Sequence, residues 1–257
     1  MRIATWNVNS LNVRLDRVTE WIELLGPDVL CLQETKMADE DFPHDVFDEL
    51  GYESAHHGQG QWNGVAILSR VGLKDVRADF ADGRDEPDPD ARILWATCGG
   101  VRVASCYVPN GRSLDDEHYA YKLDWLDRLH TDLTMNTSPS DSICVVGDFN
   151  VAPDDRDVYD PKVLEGATHG SPAEREKLAA LESFGLTDVF RQHHDGDVLY
   201  SWWDYRAGNF HKRLGLRIDL IFGSAPIQKR TRRVFIDRNA RKGKLPSDHA
   251  PVVVDLD

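Results

Sequence analysis

Cysteine is scarce in this 257-residue chain, and what there is does not pair up. Cys31, Cys98, Cys106 and Cys144 each lie in an apolar, strand-like run, and no Cys-x-x-Cys occurs. That pattern speaks against a thiolate zinc site or a disulfide scaffold. It suits small buried thiols in a reducing compartment, hence the cytoplasm. Long apolar runs are missing too. No stretch approaches the ~20 residues needed to span a bilayer. Met1-Arg2-Ile3-Ala4-Thr5-Trp6 runs straight into a strand pattern, so no signal peptide is expected. No period of 20–50 residues marks a repeat array. Gly58-Gln59-Gly60 lacks the third glycine and the following helix of a dinucleotide loop.

Positive charge is also in deficit. The chain carries 30 Lys+Arg against 44 Asp+Glu, a net charge of −14, which argues against a general nucleic-acid binder. The deficit is uneven. Residues 201–257 hold 12 basic and 6 acidic side chains, leaving 18 and 38 for the other 200. A polyanion can dock on such a basic part, with metal-binding carboxylates nearby; a solvated basic face without a partner carries the same numbers.

What is present is a set of buried strands that end in polar residues. The clearest is Ile143-Cys144-Val145-Val146-Gly147-Asp148-Phe149-Asn150. An apolar run ended by Gly and then acidic and amide residues reads as a buried strand opening into a loop. Strand ends of this kind are where open α/β sheets put their ligand chemistry. Spacing of i, i+2 puts Asp148 and Asn150 on one side of an extended backbone. A turn rich in Asp and Asn would read the same way.

In chain order, Ile3 to Val8 is a strand ending in Asn7 and Asn9. Leu15, Val18, Ile22 and Leu25 then mark a helix stopped by Gly26-Pro27. Val29 to Leu32 is a second strand, ending at Glu34, and Gly64 to Ser69 another. Residues 82–90 form an acidic, proline-broken surface loop. Strands near 92–98 and 101–108 flank the hairpin signal Gly99-Gly100. Tyr119, Leu123, Leu126, Leu129 and Leu133 share a helical stripe. After the Asp148 strand, residues 151–170 make a long Asp- and Pro-rich loop of a length that is usually functional. Ser171-Pro172-Ala173-Glu174 is a capping box whose helix ends at Gly185. Arg217 to Phe222, a segment near 233–236, and Pro251 to Leu256 are further strands. Helices separate groups of neighbouring strands, some hairpin-joined. This predicts an α/β fold of two mixed or antiparallel sheets packed together with helices outside, in one domain over 1–257.

Asn7, Glu34, Tyr107 with Asn110, Asp148 with Asn150, Asp219, and Asp248 with His249 all terminate or interrupt buried strands. Burying so many polar groups costs a few kcal/mol each unless they partner one another, a cation and a substrate in one cleft, by the general cost of unpaired burial. Carboxylates and amides without thiolates suit a hard ion such as Mg²⁺. Glu34 is the first candidate ligand. A histidine oriented by a carboxylate, here His249 with Asp219, suits phosphate contact or proton transfer. Tyr107 is either a strand aromatic or a phenol that donates to a phosphoryl oxygen.

Seven segments in order, Trp6-Asn7-Val8-Asn9-Ser10, Leu32-Gln33-Glu34-Thr35-Lys36, Trp62-Asn63-Gly64-Val65-Ala66, Tyr107-Val108-Pro109-Asn110-Gly111, Gly147-Asp148-Phe149-Asn150-Val151-Ala152, Leu216-Arg217-Ile218-Asp219-Leu220 and Ser247-Asp248-His249-Ala250-Pro251, resemble the exonuclease III family of AP endonucleases, within the DNase I-like endonuclease/exonuclease/phosphatase superfamily. The resemblance implies a four-layer α/β/β/α sandwich with the site at one edge. It implies Mg²⁺- or Mn²⁺-dependent incision of duplex DNA 5′ to abasic sites, with 3′→5′ exonuclease and 3′-phosphatase action. It gives Glu34 the metal, with Asn9 and Asp248 beside it, and makes Asp148 the residue that positions water or handles a proton, as base or acid. Asn7, Asn150, Tyr107 and His249 would hold the phosphate, with Asp219 orienting His249. Trp202, Leu216 and Ile218 match walls of a pocket for the extruded sugar. Asn110, Lys36, Arg112, Lys212, Arg213 and Arg217 are candidate DNA contacts. Two departures stand out: Asn9 where some relatives carry Asp, and Leu216 where some carry Trp. The rival readings are a catalytically silent nucleic-acid binder on the same scaffold and a phosphatase or phosphodiesterase of lipid or inositol substrates.

Overall fold

A computed structural model describes residues 1–196 and 198–257, and these described residues form twelve strands and seven α-helices. The strands are β1 (Arg2–Asn7), β2 (Val29–Gln33), β3 (Glu53–His57), β4 (Val65–Ser69), β5 (Lys74–Ala78), β6 (Ile93–Cys98), β7 (Val101–Tyr107), β8 (Ile143–Asp148), β9 (Thr187–Asp188), β10 (Asp219–Gly223), β11 (Thr231–Ile236) and β12 (Val252–Leu256). The helices are α1 (Leu11–Leu25), α2 (His44–Glu49), α3 (Glu117–Asn136), α4 (Pro172–Phe184), α5 (Val189–His193), α6 (Asn209–Lys212) and α7 (Ala225–Arg230). One sheet has the order β11-β12-β1-β2-β4-β3, the other β5-β6-β7-β8-β10-β9. Both are mixed: β1 runs parallel to β2 and β7 parallel to β8, while the remaining pairs are antiparallel.

Three apolar layers follow from side-chain alternation along the strands. Ile3, Cys31 and Ile67 of the first sheet face Val103, Val146 and Ile221 of the second, making the central layer. Trp6, Leu30 and Leu68 point the other way, against Val18, Trp21 and Ile22 of α1 and Phe47 of α2. Trp95, Cys106 and Val145 meet Trp125, Leu129 and Leu133 of α3 and Leu178 and Leu181 of α4. The result is the expected α/β/β/α sandwich. The capping box of Ser171 and Glu174 and the left-handed Gly185 end-cap bound α4 as the sequence predicts. All four cysteines are buried and free.

Some elements differ from expectation. β3 and β5 carry no clear sequence signal, because both are edge strands with few apolar residues and half-exposed faces. The strand expected from Arg217 starts at Asp219. Gly147 lets β8 lie close to β7: a Cβ there would fall 1.9 Å from the carbonyl oxygen of Cys106.

Arg217 is a correction. Expected on a DNA-binding surface, it is wholly buried. Its guanidinium donates to Asp157 at 2.6 and 3.0 Å and lies 2.7 Å from Asp188. It also stacks 5.0 Å from the Phe190 ring. The long 151–170 loop supplies Asp157 and folds over the arginine, so charge here fastens the loop to the second sheet. Arg217→Ala leaves the Asp157 and Asp188 carboxylates without their central cation. Breaking a buried pair in this way costs about 3–5 kcal/mol. Urea denaturation should show a loss of that size; an unmoved midpoint would mean the cluster holds nothing together.

Candidate active site

Strand register carries the polar ends to one edge. In the first sheet Asn7 pairs with Gln33, which puts Glu34 just beyond it. In the second, Asp148 lies between Tyr107 on one side and Asp219 on the other. The segment before β12 brings His249 across, where Trp202 bridges it to Leu216.

Asn7, fully buried, sits between the two sheets. Its Nδ2 donates to Glu34 Oε1 at 2.8 Å and to Asp148 Oδ2 at 2.9 Å, and its Oδ1 accepts from the Asn9 N–H at 3.0 Å. Both amide protons are therefore used in organising carboxylates. Asn150 serves Asp148 similarly. Its main-chain N–H donates to Oδ1 at 2.9 Å, while its Nδ2 donates to the Val108 carbonyl at 3.0 Å and approaches Oδ2 at 3.3 Å. Asn110 Nδ2 donates to Asn150 Oδ1 at 3.2 Å.

His249 is held by Asp219, with Nδ1 2.9 and 3.1 Å from its two oxygens, and directs Nε2 toward Asp148 Oδ2 at 3.8 Å. Burial disfavours the imidazolium, but the charges of Asp219 and Asp148 outweigh it and push the ring up to about 10. Burial pushes Asp148 up to about 7, with the charges of Asp219 and Glu34 adding and His249 and the Asn7 bond opposing. The Tyr107 phenol is raised well above its usual range, by burial and then by the Glu34 carboxylate. Arg92 lies over its ring at 4.7 Å.

One candidate ligand atom each from Glu34, Asp148 and His249 lies within 4.8 Å of the others; the two carboxylates can hold a metal ion, while the protonated His249 ring has no lone pair to give it. Asp248 is not part of this group. Its carboxylate accepts from Asn9 Nδ2 and Trp202 Nε1, both at 3.0 Å. Burial would raise its pKa, but the neighbouring His249 and these bonds pull it below the usual carboxylate range. Asn9 Oδ1 in turn accepts from Lys36 Nζ at 2.6 Å, and Lys36 pairs with Glu34 Oε2 at 2.8 Å. Lys36 thus lies within the carboxylate cluster. Trp202 packs with Leu216 and Ile218 in an apolar patch with Ala152 and Val158, and its ring centre is 6.5 Å from that of His249. Arg112, Lys212 and Arg213 are exposed on the surface.

The structure adds one residue that the sequence does not single out. His169, in the long loop, lies with Nε2 3.1 Å from Asn110 Nδ2. The only signal for it is the length of that loop. Backbone strain supports the assignment of the whole site: Asn9, Glu34, Lys36, Asn150 and His169 all have positive φ, between 45° and 78°. Non-glycine residues adopt that conformation rarely, and it concentrates at functional sites.

Fold and site together define a nuclease of the DNase I-like class. The profile of the endonuclease/exonuclease/phosphatase family matches residues 4–249. Exodeoxyribonuclease III of Haemophilus influenzae is 34% identical over 264 residues, covering 98% of each chain. An AP endonuclease from Archaeoglobus fulgidus superposes with a TM-score of 0.96 at 35% identity, covering 100% of this chain and 99% of that one. A 3′ phosphatase, NExo, from Neisseria, solved with a product DNA hairpin, gives 0.95 at 39% identity with the same coverage. The chain belongs to the exonuclease III family of this superfamily.

The raised His249 pKa has a checkable sign. The imidazolium gains its partners on folding, so its stabilisation is present in full below the unfolded pKa near 6.5. It is lost as pH rises through about 10. Nitrogen-15 NMR of the metal-free protein should find the ring still protonated at pH 8, and Asp219→Asn should bring its titration down. A neutral His249 ring at pH 8 in the unaltered chain would contradict the geometry.

Proposed function

We propose that the chain hydrolyses phosphodiester bonds of duplex DNA on the 5′ side of abasic sites, and removes nucleotides and phosphate from 3′ ends, with Mg²⁺ or Mn²⁺ bound. The observation that supports it best is the meeting of Glu34, Asp148 and His249, braced by Asn7, beside the apolar patch of Trp202, Leu216 and Ile218. The donor set fits a hard cation. Glu34, Asp148, Asp219 and Asp248 bring four carboxylates against the Lys36 ammonium and the His249 imidazolium, with neutral amide and indole donors on the rest, so a doubly charged ion would balance the cluster. Glu34 would hold it, with Asn9 and Asp248 alongside. A bound divalent cation supplies charge stabilisation for the phosphoryl oxygens.

The chain's own groups do the rest. Asp148, whose carboxyl burial pushes up to about 7, holds the attacking water or passes its proton. His249, fixed by Asp219, offers Nε2–H to a phosphoryl oxygen, and Tyr107 offers its hydroxyl. Stabilisation of developing charge by such preplaced donors is the largest part of this kind of catalysis. An extruded sugar without a base calls for a small apolar pocket, which Trp202, Leu216 and Ile218 can line. The same reading places the protein in the cytoplasm, where its four buried thiols stay reduced, as a monomeric single domain. Among the described residues no helix is long and apolar enough to cross a membrane.

A duplex with one abasic analogue, incubated with Mg²⁺ and separately with EDTA, tests the proposal. A nick leaving a 3′-hydroxyl is expected only with the metal. Asp148→Asn should lower the rate at least ~10²-fold, the scale for losing an acid/base group. Removal of 3′-terminal nucleotides or phosphate without a nick restricts the activity to 3′ ends. DNA binding with no cleavage of any kind supports the silent binder instead.

A further inference from the structure

Lys122, on α3, is a lysine with no exposed surface, and no step above uses it. Its ammonium has three N–H donors and four acceptors around it. They are the main-chain carbonyls of Asn150 at 2.6 Å and Asn110 at 3.2 Å, Thr168 Oγ1 at 3.2 Å, and the Glu174 carboxylate. Glu174 is fully buried as well. Its Oε1 also accepts from Thr168 Oγ1 at 2.6 Å and from the His169 N–H at 2.9 Å, and its Oε2 from the Ser171 N–H at 2.8 Å.

Well-packed apolar side chains often match or exceed the stability of such a pair, so stability does not explain the choice. Geometry does. Asn110 and Asn150 follow the ends of neighbouring strands, and a single ammonium ties both of their backbone carbonyls together. The paired carboxylate anchors residues 168–171 to the same point, including His169, whose ring meets Asn110. The chain is shaped around this arrangement: Gly111 has φ +87°, and a Cβ there would lie 2.8 Å from Thr168 Oγ1 and 3.0 Å from Lys122 Cδ. Asn150 itself has φ 50°, a strained conformation that needs outside support.

We infer that the buried Lys122–Glu174 pair is a positioning device that holds Asn110 and Asn150 at the spacing needed to organise Asp148 and the scissile phosphate, without touching either reactant. This rests on the phosphodiesterase reading given above.

The double variant Lys122→Met/Glu174→Gln removes both charges at once and keeps an acceptor oxygen for the α4 cap. With a duplex bearing an abasic analogue and a recessed 3′ end, kcat should fall on the order of 10²-fold, the effect of displacing a reacting group by about 1 Å. KM should change little. Asn150→Ala added to this background should lower kcat by a much smaller factor than in the native chain, since residues acting as one unit are not additive. Native kcat in the double variant, or an undiminished effect of Asn150→Ala, overturns the inference. If the double variant does not fold, Thr168→Val, which cuts one link and leaves the ion pair, goes through the same comparison: a fall in kcat that is not additive with Asn150→Ala supports the inference, and native kcat or additive effects overturn it. A native chain that cleaves neither the abasic site nor the 3′ end defeats the phosphodiesterase reading and the inference with it. An active native chain with independent effects defeats the inference alone.

Discussion

The amide of Asn7 is the contact on which the site depends. Its two protons go to carboxylates on different sheets, Glu34 beyond β2 and Asp148 at the end of β8. A slip of one sheet over the other would leave a buried carboxylate without its donor. Sheet packing and catalytic geometry are therefore one constraint. Gln33 reinforces it by donating to Ser105 across the layer at 3.0 Å, while Ser105 donates to the Leu32 carbonyl at 3.1 Å and Thr5 to Gln33 at 3.1 Å. The central layer is thus apolar over most of its extent and carries this polar seam. A buried polar network that satisfies its members rigidifies and specifies a single arrangement.

Placing so many carboxylates together works only because each has a different counterpart. Asp219 faces the His249 ring, Asp248 the Asn9 and Trp202 donors, and Glu34 the Asn7 amide and Lys36. Asp148 has amide donors, with the cationic ring 3.8 Å away rather than in contact. Burial, with the charges of Asp219 and Glu34 adding, pushes the pKa of Asp148 up to about 7. A group poised there can take or give a proton near the working pH. The same asymmetry explains why His249 stays charged: two carboxylates flank a buried ring.

Much of this is legible in the sequence because buried strands announce themselves as apolar runs, and the polar residue that ends such a run stands out. Asn7, Glu34, Asp148 and Asp219 are all visible on that ground. The failures share a physical cause, which is that burial of charge is set by distant segments. In Leu216-Arg217-Ile218, alternation suggests an outward-facing arginine, yet Asp157, sixty residues earlier, folds over it. On α3 the apolar stripe holds through Leu126, Leu129 and Leu133, but Lys122, Arg128 and Asp132 are buried beside it. Each is matched by a partner from another element: Glu174, Asp82 and Arg77. Periodicity counts apolar residues and is silent about such pairs. His169 escapes notice because a lone histidine in a long loop has no pattern.

A strongly acidic chain acting on a polyanion is less paradoxical once the ion pairs are placed. Much of the acid in the 82–90 loop is neutralised internally: Asp82 and Asp88 by Arg128, and Asp90 by Arg92. Within the site, Glu34 pairs with Lys36 and Asp219 with the His249 ring. By contrast, Lys212 and Arg213 follow the Trp202-Trp203 segment, are exposed, and have no ion pair among the described residues. Net charge governs solubility and long-range steering, whereas docking responds to the local field of the surface that meets the ligand. On the proposed reading, the exposed Lys212 and Arg213, just before Leu216 in the chain, therefore count for more in DNA contact than the total of −14.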